Sequence, residues 1–383
     1  MAVAKELRST PKVTTFGEII RQKIQTMKFC PCIRSLAALS AIFCFLLSHI
    51  SCNNSGSSSY LKATGMPGEI LLVMDNEQLS GAAGRAVEDL LAQSVPALPQ
   101  DEPLFKVSRS TIEGFSGFLT YVRNVMYVEV DESRFTTTSV KFDYNVWAKG
   151  QMLVKMTSPN ADSIVSYIKD KGEALVNLVL RHEFYRFADL LHDEFSPTAM
   201  QKVDSMFGYR INVPKDIRSY KVGKDFLWMS NNAASKRHDL LVYTYPYRSK
   251  RDLEMDRMIE VRDSVLRQNI EGGDEGSYPS TETGFNLYHR YVFGPEKGQM
   301  RSELRGLWKM TGGGMMGGPF VCQATYDKES GLVYVAEGFV YHPNEPKRNL
   351  IRMMEASLYT FRKRAQKDFN PEGLKKMTYS PVF

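Results

Sequence analysis

From Leu36 to Leu47 the chain is apolar for about a dozen residues, and from Cys52 it turns into a tract of Asn, Ser and Gly. Such a run is short of the roughly 20 residues that a membrane-crossing helix needs. The basic stretch "MKFCPCIR", from Met27, comes just before it. Basic, then apolar, then small residues is the anatomy of a secretory signal peptide. This feature limits the fold more than any other, because it assigns residues 1–51 to a leader. The polar residues 1–26 read as an extension upstream of a start at Met27.

The run ends in "HISC". These residues resemble the lipobox of bacterial lipoproteins, with Ser51 at the small position and Cys52 as the lipidated residue that opens the mature chain. His49 departs from that pattern, in which a leucine is usual. Residues 52–66 are then a lipidated cysteine and a flexible Ser/Gly tether. At about 0.8 kcal/mol per buried CH₂, two or three acyl chains of the palmitate kind make a lasting anchor. The resemblance implies a cell-envelope protein whose first partner is the membrane, through its N-terminal lipid. Asn53 and Asn54, with no acidic cluster, suggest the periplasmic face of the outer membrane.

Charge and cysteine sort in the same way. Residues 1–51 hold seven Lys/Arg and two acids, which leaves 49−7=42 basic and 43−2=41 acidic residues from Cys52 onward. A nearly neutral body lacks the clustered positive face that a nucleic-acid partner requires. Cys30, Cys32, Cys44 and Cys52 lie in or at the end of the leader, and only Cys322 lies in the body. One thiol excludes an internal disulfide framework and a Cys-rich zinc site. Within the apolar run "GGPFVCQATYD", Cys322 reads as a small buried hydrophobe.

The body reads as α+β. "GEILLVMD" (68–75) is a central strand and "NVMYVEVD" (124–131) another. A helix with Ser80 as its N-cap lies between them, and "SVKFDYNVWAKGQMLVKMTS" (139–158) is a bent strand or a hairpin. A long helix follows, from about Asn160 to Phe195. Further on, "DFLWMSN" and "DLLVYTYPY" are strands joined by the turn "NNAASKRH", and 250–270 is an amphipathic helix. "GPFVCQATYD" and "GLVYVAEGFVYHP" form a hairpin, and a helix capped by Asn344 closes the chain. The strand–Pro-Asn–helix plan around Pro159-Asn160 recurs around Pro343-Asn344. The expected architecture is two similar halves, 67–207 and 208–383, each an antiparallel sheet with helices on one face.

Motifs for chemistry are sparse. Gly312-x-Gly314-x-x-Gly317 matches the bare dinucleotide pattern, with Glu337 about 20 residues on. Pro319 and a strand follow where the pyrophosphate needs a helix N-terminus, so these glycines read as a bulged turn. "RHEFYRFADLLHDEF" gathers His182, Glu183, His192, Asp193 and Glu194 without the spacing of a zinc helix, and reads as a solvated helix face. No catalytic residue set, cofactor site or metal site emerges.

The order "ATGMPGEILLVMD", "RNVMYVEV", "RGLWKM…MMGGPFVCQATYD" and "EGFVYHPNEPKRNLIRMMEASLYT" resembles the family called domain of unknown function 4837, from about Ala63 to Lys363. The resemblance implies envelope lipoproteins of Gram-negative bacteria and brings no catalytic residues. The expected function is a non-enzymatic binding or assembly module for an envelope protein or glycan. Its candidate surface is Gly314, Met315, Met316, Gly317, Glu337, His342 and Arg348, with Lys347 beside them. The alternative is an envelope hydrolase whose site gathers distant residues such as Glu337, His342 and Arg348.

Overall fold

The computed structural model describes residues 61–294, 299–366 and 368–380. The leader, Met27, Cys52 and most of the tether lie outside these residues.

The first half opens on β1 (Glu69–Met74), buried along nearly its whole length. Two helices follow, α1 (Asn76–Ser80) and α2 (Ala82–Leu91). Gly81, not Ser80, holds the N-cap position of α2, because Ser80 ends the short helix before it. Strands β2 (Lys106–Thr111), β3 (Asn124–Val130), β4 (Ser139–Tyr144) and β5 (Met152–Ser158) complete a five-stranded sheet ordered β2-β1-β3-β5-β4. The long helix α3 (Ala161–Asp193) starts where the Asn160 side chain accepts the Ser163 N–H at 2.9 Å. Helix α4 (Pro197–Phe207) begins with Ser196 as its cap and ends at Gly208, whose φ of 68° supplies the left-handed stop.

The second half carries β6 (Tyr209–Arg210), β7 (Ser219–Gly223), β8 (Phe226–Ser230) and β9 (Arg237–Pro246). After α5 (Met255–Asn269) come β10 (Tyr278–Thr281), β11 (Tyr288–Phe293), β12 (Met300–Thr311), β13 (Gly317–Asp327) and β14 (Leu332–Tyr341). Helix α6 (Arg348–Tyr359), β15 (Arg362–Lys363) and β16 (Thr378–Tyr379) finish it. The large sheet runs β16-β11-β12-β13-β14-β9-β8-β7, with β10 on β12, and every pairing is antiparallel.

The α+β class and the two halves stand, and the halves differ in detail from the expectation. In the first sheet β1 pairs β2 and β3 in parallel, β3 pairs β5 in parallel, and only β4–β5 is antiparallel. A strand buried on both faces, such as β1, is what helical crossovers and parallel neighbours produce. Helices also cover both faces of the second sheet. Leu240 and Val242 of β9 join one core with α6, whereas Leu241 and Tyr243 join another with Met258, Val261 and Leu266 of α5. Four consecutive buried residues need two covered faces. The first core is continuous across both halves: it holds Ile70, Leu72 and Met74 of β1, Val176 and Val179 of α3, and Met354 and Leu358 of α6.

Asn344 does not cap α6. It sits in a turn with φ 61°, and Lys347 occupies the cap position with no capping side chain of its own. The cap comes from the other half. Glu102 accepts the N–H groups of Lys347 at 2.6 Å and Arg348 at 3.0 Å, one on each carboxylate oxygen. A negative charge at a helix N-terminus satisfies free donors and opposes the helix dipole.

Candidate functional site

A groove of about 700 Å³ opens where the two halves meet. One wall is the β8–β9 turn, in which Asn232 (φ 52°) and Lys236 (φ 57°) adopt left-handed backbone. Asn231 tightens that turn, its Oδ1 accepting the His238 N–H at 3.3 Å. His238, nearly buried, places Nε2 3.0 Å from Asp216 Oδ1, and the Asn231 amide donates to Asp216 Oδ2 at 3.3 Å. Burial acts to raise the Asp216 carboxyl, but the His238 hydrogen bond and charge outweigh it and hold the group below the usual range.

His342 follows β14 directly. Its Nδ1 accepts the Lys236 N–H at 3.1 Å and lies 3.2 Å from Ser235 Oγ. The opposite wall is the start of α6. There Arg348 donates to the Pro103 carbonyl at 2.9 Å and to Asn349 Oδ1 at 3.2 Å, while Lys347 Nζ donates to Gln100 at 2.7 Å. Burial lowers the pKa of both Lys347 and Arg348, against the opposing pull of Glu102. Met66, Phe187, Leu350 and Met353 supply apolar lining. Polar groups already fixed by neighbours, set around apolar surface, suit the orientation of a bound partner.

The sequence-derived surface is divided by the fold. His342 and Arg348 share the groove. Gly314, Met315, Met316 and Gly317 lie at the β12–β13 hairpin turn and do not line it. Gly312 (φ 83°) and Gly314 (φ 62°) take the left-handed conformations of that turn, and Met315 projects fully into solvent. Glu337 does not rim a mouth. It is fully buried on the α5 face of β14, where Arg262 donates to its two oxygens at 2.9 and 2.7 Å. Arg262 also stacks 3.8 Å over the Phe320 ring. Burial raises the Glu337 carboxyl, and the guanidinium only partly offsets it. Register forces the separation: Glu337 shares its face with Val333 and Val335, opposite Ala336 and Val340. Cys322, paired across to Glu337, is buried as expected.

Two residues expected on a solvated helix face are in the core. Glu183 is buried among Arg123, Arg186, Asn124 and the Gly68 N–H. Burial opposes its charge, but the two arginines and the amide hold its pKa below the ordinary value. His182 is stacked between Tyr144 and Tyr185, with ring centroids at 4.7 and 5.3 Å. A third buried network joins Glu303 and Glu355 through the Tyr359 hydroxyl, at 3.0 and 3.1 Å, with Arg290 and Arg305 alongside. Burial raises Glu355, whereas Arg290 and Arg305 overcome burial and lower Glu303.

Sequence reasoning missed His238, Asp216, Asn231 and Glu102. The turn "NNAASKRH" signalled only a polar connection, and the Asp216–His238 pair forms across 22 positions. Among the described residues, no group of three or more His, Cys, Asp or Glu is placed to hold a metal ion. No helix there is long and apolar enough to cross a membrane.

The molecule is thus an α+β protein of two halves that share a core and border a common groove. Residues 196–360 match the model of the family described as Domain of unknown function (DUF4837). Residues 63–192 match a different model, Domain of unknown function (DUF8532). The resemblance expected under one family from Ala63 to Lys363 is therefore divided between two, and the models meet ahead of α4. No curated protein matches the chain.

Proposed function

We propose that the chain is a lipid-anchored protein of the cell envelope, held by Cys52 at the periplasmic face of the outer membrane. Its folded part is a non-enzymatic binding module, and the groove beside His342 and Arg348 is the seat for an envelope protein or glycan. One observation carries the binding reading. Glu337, Glu355 and His182, three groups whose pKa values burial shifts, are enclosed in the core and do not line the groove. Catalysis needs reactive groups free to act in an open site, and the shifted groups that line the groove, Asp216 and Arg348, are held by His238 and by the Pro103 carbonyl. The carboxylates in the groove are already engaged: Glu102 caps α6 and Asp216 holds His238. The hydrolase built from Glu337, His342 and Arg348 lacks an assembled site, because Glu337 faces the other side of the sheet.

The test places a photo-crosslinking residue at Lys236 and blocks the groove with Ala233→Trp. The expected result is a discrete crosslinked species in intact envelopes, lost on blocking while thermal stability is kept. Retention of both crosslink and phenotype in the blocked chain refutes the groove as the seat. A hydrolytic activity abolished by His342→Ala or Asp216→Asn would overturn the non-enzymatic reading.

A further inference from the structure

Three chain segments converge beside the first described residues. Leu61–Thr64 runs between two loops: Lys149 N–H donates to the Leu61 carbonyl at 2.8 Å, and Ala63 N–H to the Lys149 carbonyl at 2.9 Å. On its other side Thr64 N–H donates to the Tyr121 carbonyl at 2.8 Å, and Arg123 N–H returns to the Thr64 carbonyl at 2.9 Å. The buried Gln151 side chain fastens the two loops together. It accepts the Trp147 N–H at 3.0 Å and donates to the Thr120 and Val122 carbonyls at 2.6 and 2.8 Å.

This fixed platform displays apolar side chains outward. Phe118 is 90% exposed and Leu61 is 61% exposed, and Leu119, Val146 and Trp147 are each more than a third exposed. Phe118 lies on the short 3-10 turn Gly117–Tyr121, and Trp147 is held edge-on by Phe115 at 5.6 Å. The charged residues in segments 61–64, 117–122 and 145–150 are Lys62 and Lys149, both exposed. Clustered, rigidly held apolar groups facing water mark an interaction surface.

We infer that this patch is a membrane-contact surface, which seats the folded body on the lipid bilayer that Cys52 anchors it to. The inference rests on the lipid-anchor reading. Leu61 lies nine positions after Cys52 (61−52=9). Fully extended, a stretch of that length reaches at most about 30 Å. The platform is therefore the part of the body that the anchor keeps nearest the bilayer. Its chemistry suits that neighbour. Indole rings favour the headgroup level, phenylalanine and leucine enter the acyl boundary, and two lysines meet anionic headgroups. Core residues cannot serve, and the exposed Met315 and Met316 of the β12–β13 turn lie far along the chain from the anchor.

The experiment uses the mature full-length protein purified from its own envelopes and reconstituted into phosphatidylethanolamine–phosphatidylglycerol vesicles, with or without brominated acyl chains. The chain has three tryptophans. Subtracting the emission of Trp147→Phe, which keeps an aromatic ring against Phe115, isolates the signal of Trp147. The expected result is that brominated lipid quenches this signal about twofold or more, and that Phe118→Asp removes most of the quenching. No quenching of the Trp147 signal overturns the inference. The mass of the Cys52 peptide from the same sample reports on the anchor separately. A lipidated Cys52 with unquenched Trp147 removes the patch alone, whereas quenching without lipid on Cys52 keeps the patch and removes the anchor.

Discussion

His182 makes the folded state sensitive to mild acid. Burial, followed by the charges of Arg186 and Lys375, lowers its pKa from 6.5 to about 2. The tyrosine rings on either side add no acceptor, and Lys375 lies 4.4 and 3.7 Å over those same rings. A protonated imidazole there would be desolvated among cations. The folded-state pKa is depressed, so below pH 6.5 the unfolded chain takes up a proton that the folded chain refuses. The stability contributed by neutral His182 is complete above about pH 6.5 and is lost as pH falls, at about 1.4 kcal/mol per unit once the slope is full. By about pH 4.5 the loss amounts to about 2–3 kcal/mol. His182→Phe keeps the aromatic stack and removes the titration. Guanidinium midpoints of the two chains, measured at several pH values between 6.5 and 4.5, isolate this residue from the acids common to both. The parent should lose stability faster than the variant by that amount. Parallel curves for the two chains refute the reasoning.

Removing one partner of the buried Arg262–Glu337 pair should be severe: Glu337→Ala costs about 3–5 kcal/mol in chemical denaturation, and adding Arg262→Met recovers much of it. A cost under about 1 kcal/mol would mean that the pair is solvated. Glu102→Ala removes a cap that serves α6 across the halves, and lowers stability by about 1–2 kcal/mol, with faster amide exchange at Lys347 and Arg348 as the local signature. Cys52→Ser should lose fatty-acid label and membrane retention together, and unchanged labelling would exclude that cysteine as the lipid site.

The parts of the fold that could be read in the sequence are those in which one period or one punctuating residue dominates. β1 and β3 are short apolar runs, the β13–β14 hairpin has its turn, and α3 starts after the punctuation Pro159-Asn160. β2, with the polar sequence KVSRST, was not legible because it is an edge strand with no fully buried position. β12 was hidden for the opposite reason. Glu303 is buried in it, and Arg290, Gln323 and Tyr359 satisfy the charge from β11, β13 and α6. A strand whose inward positions are charged shows no alternation until its partners are known. The same holds for His182 and Glu183, where sequence pattern indicates solvent and tertiary pairing decides otherwise. Half of the groove was legible: His342 and Arg348 stand next to recognisable elements, whereas Asp216 and His238 meet only after β8 and β9 pair.

The bond from Arg348 to Glu102 closes a loop of 246 positions, and that span sets an order of assembly. During synthesis β1 and α2 emerge long before α6 and the large sheet that complete the cover of their shared core. The first half must therefore wait with part of its apolar face open until the last hundred residues arrive. Contacts so distant along the chain slow folding and prolong exposure to aggregation. The two family-matched segments share this core, and truncating the chain after α3 should leave a species that needs a chaperone to stay in solution.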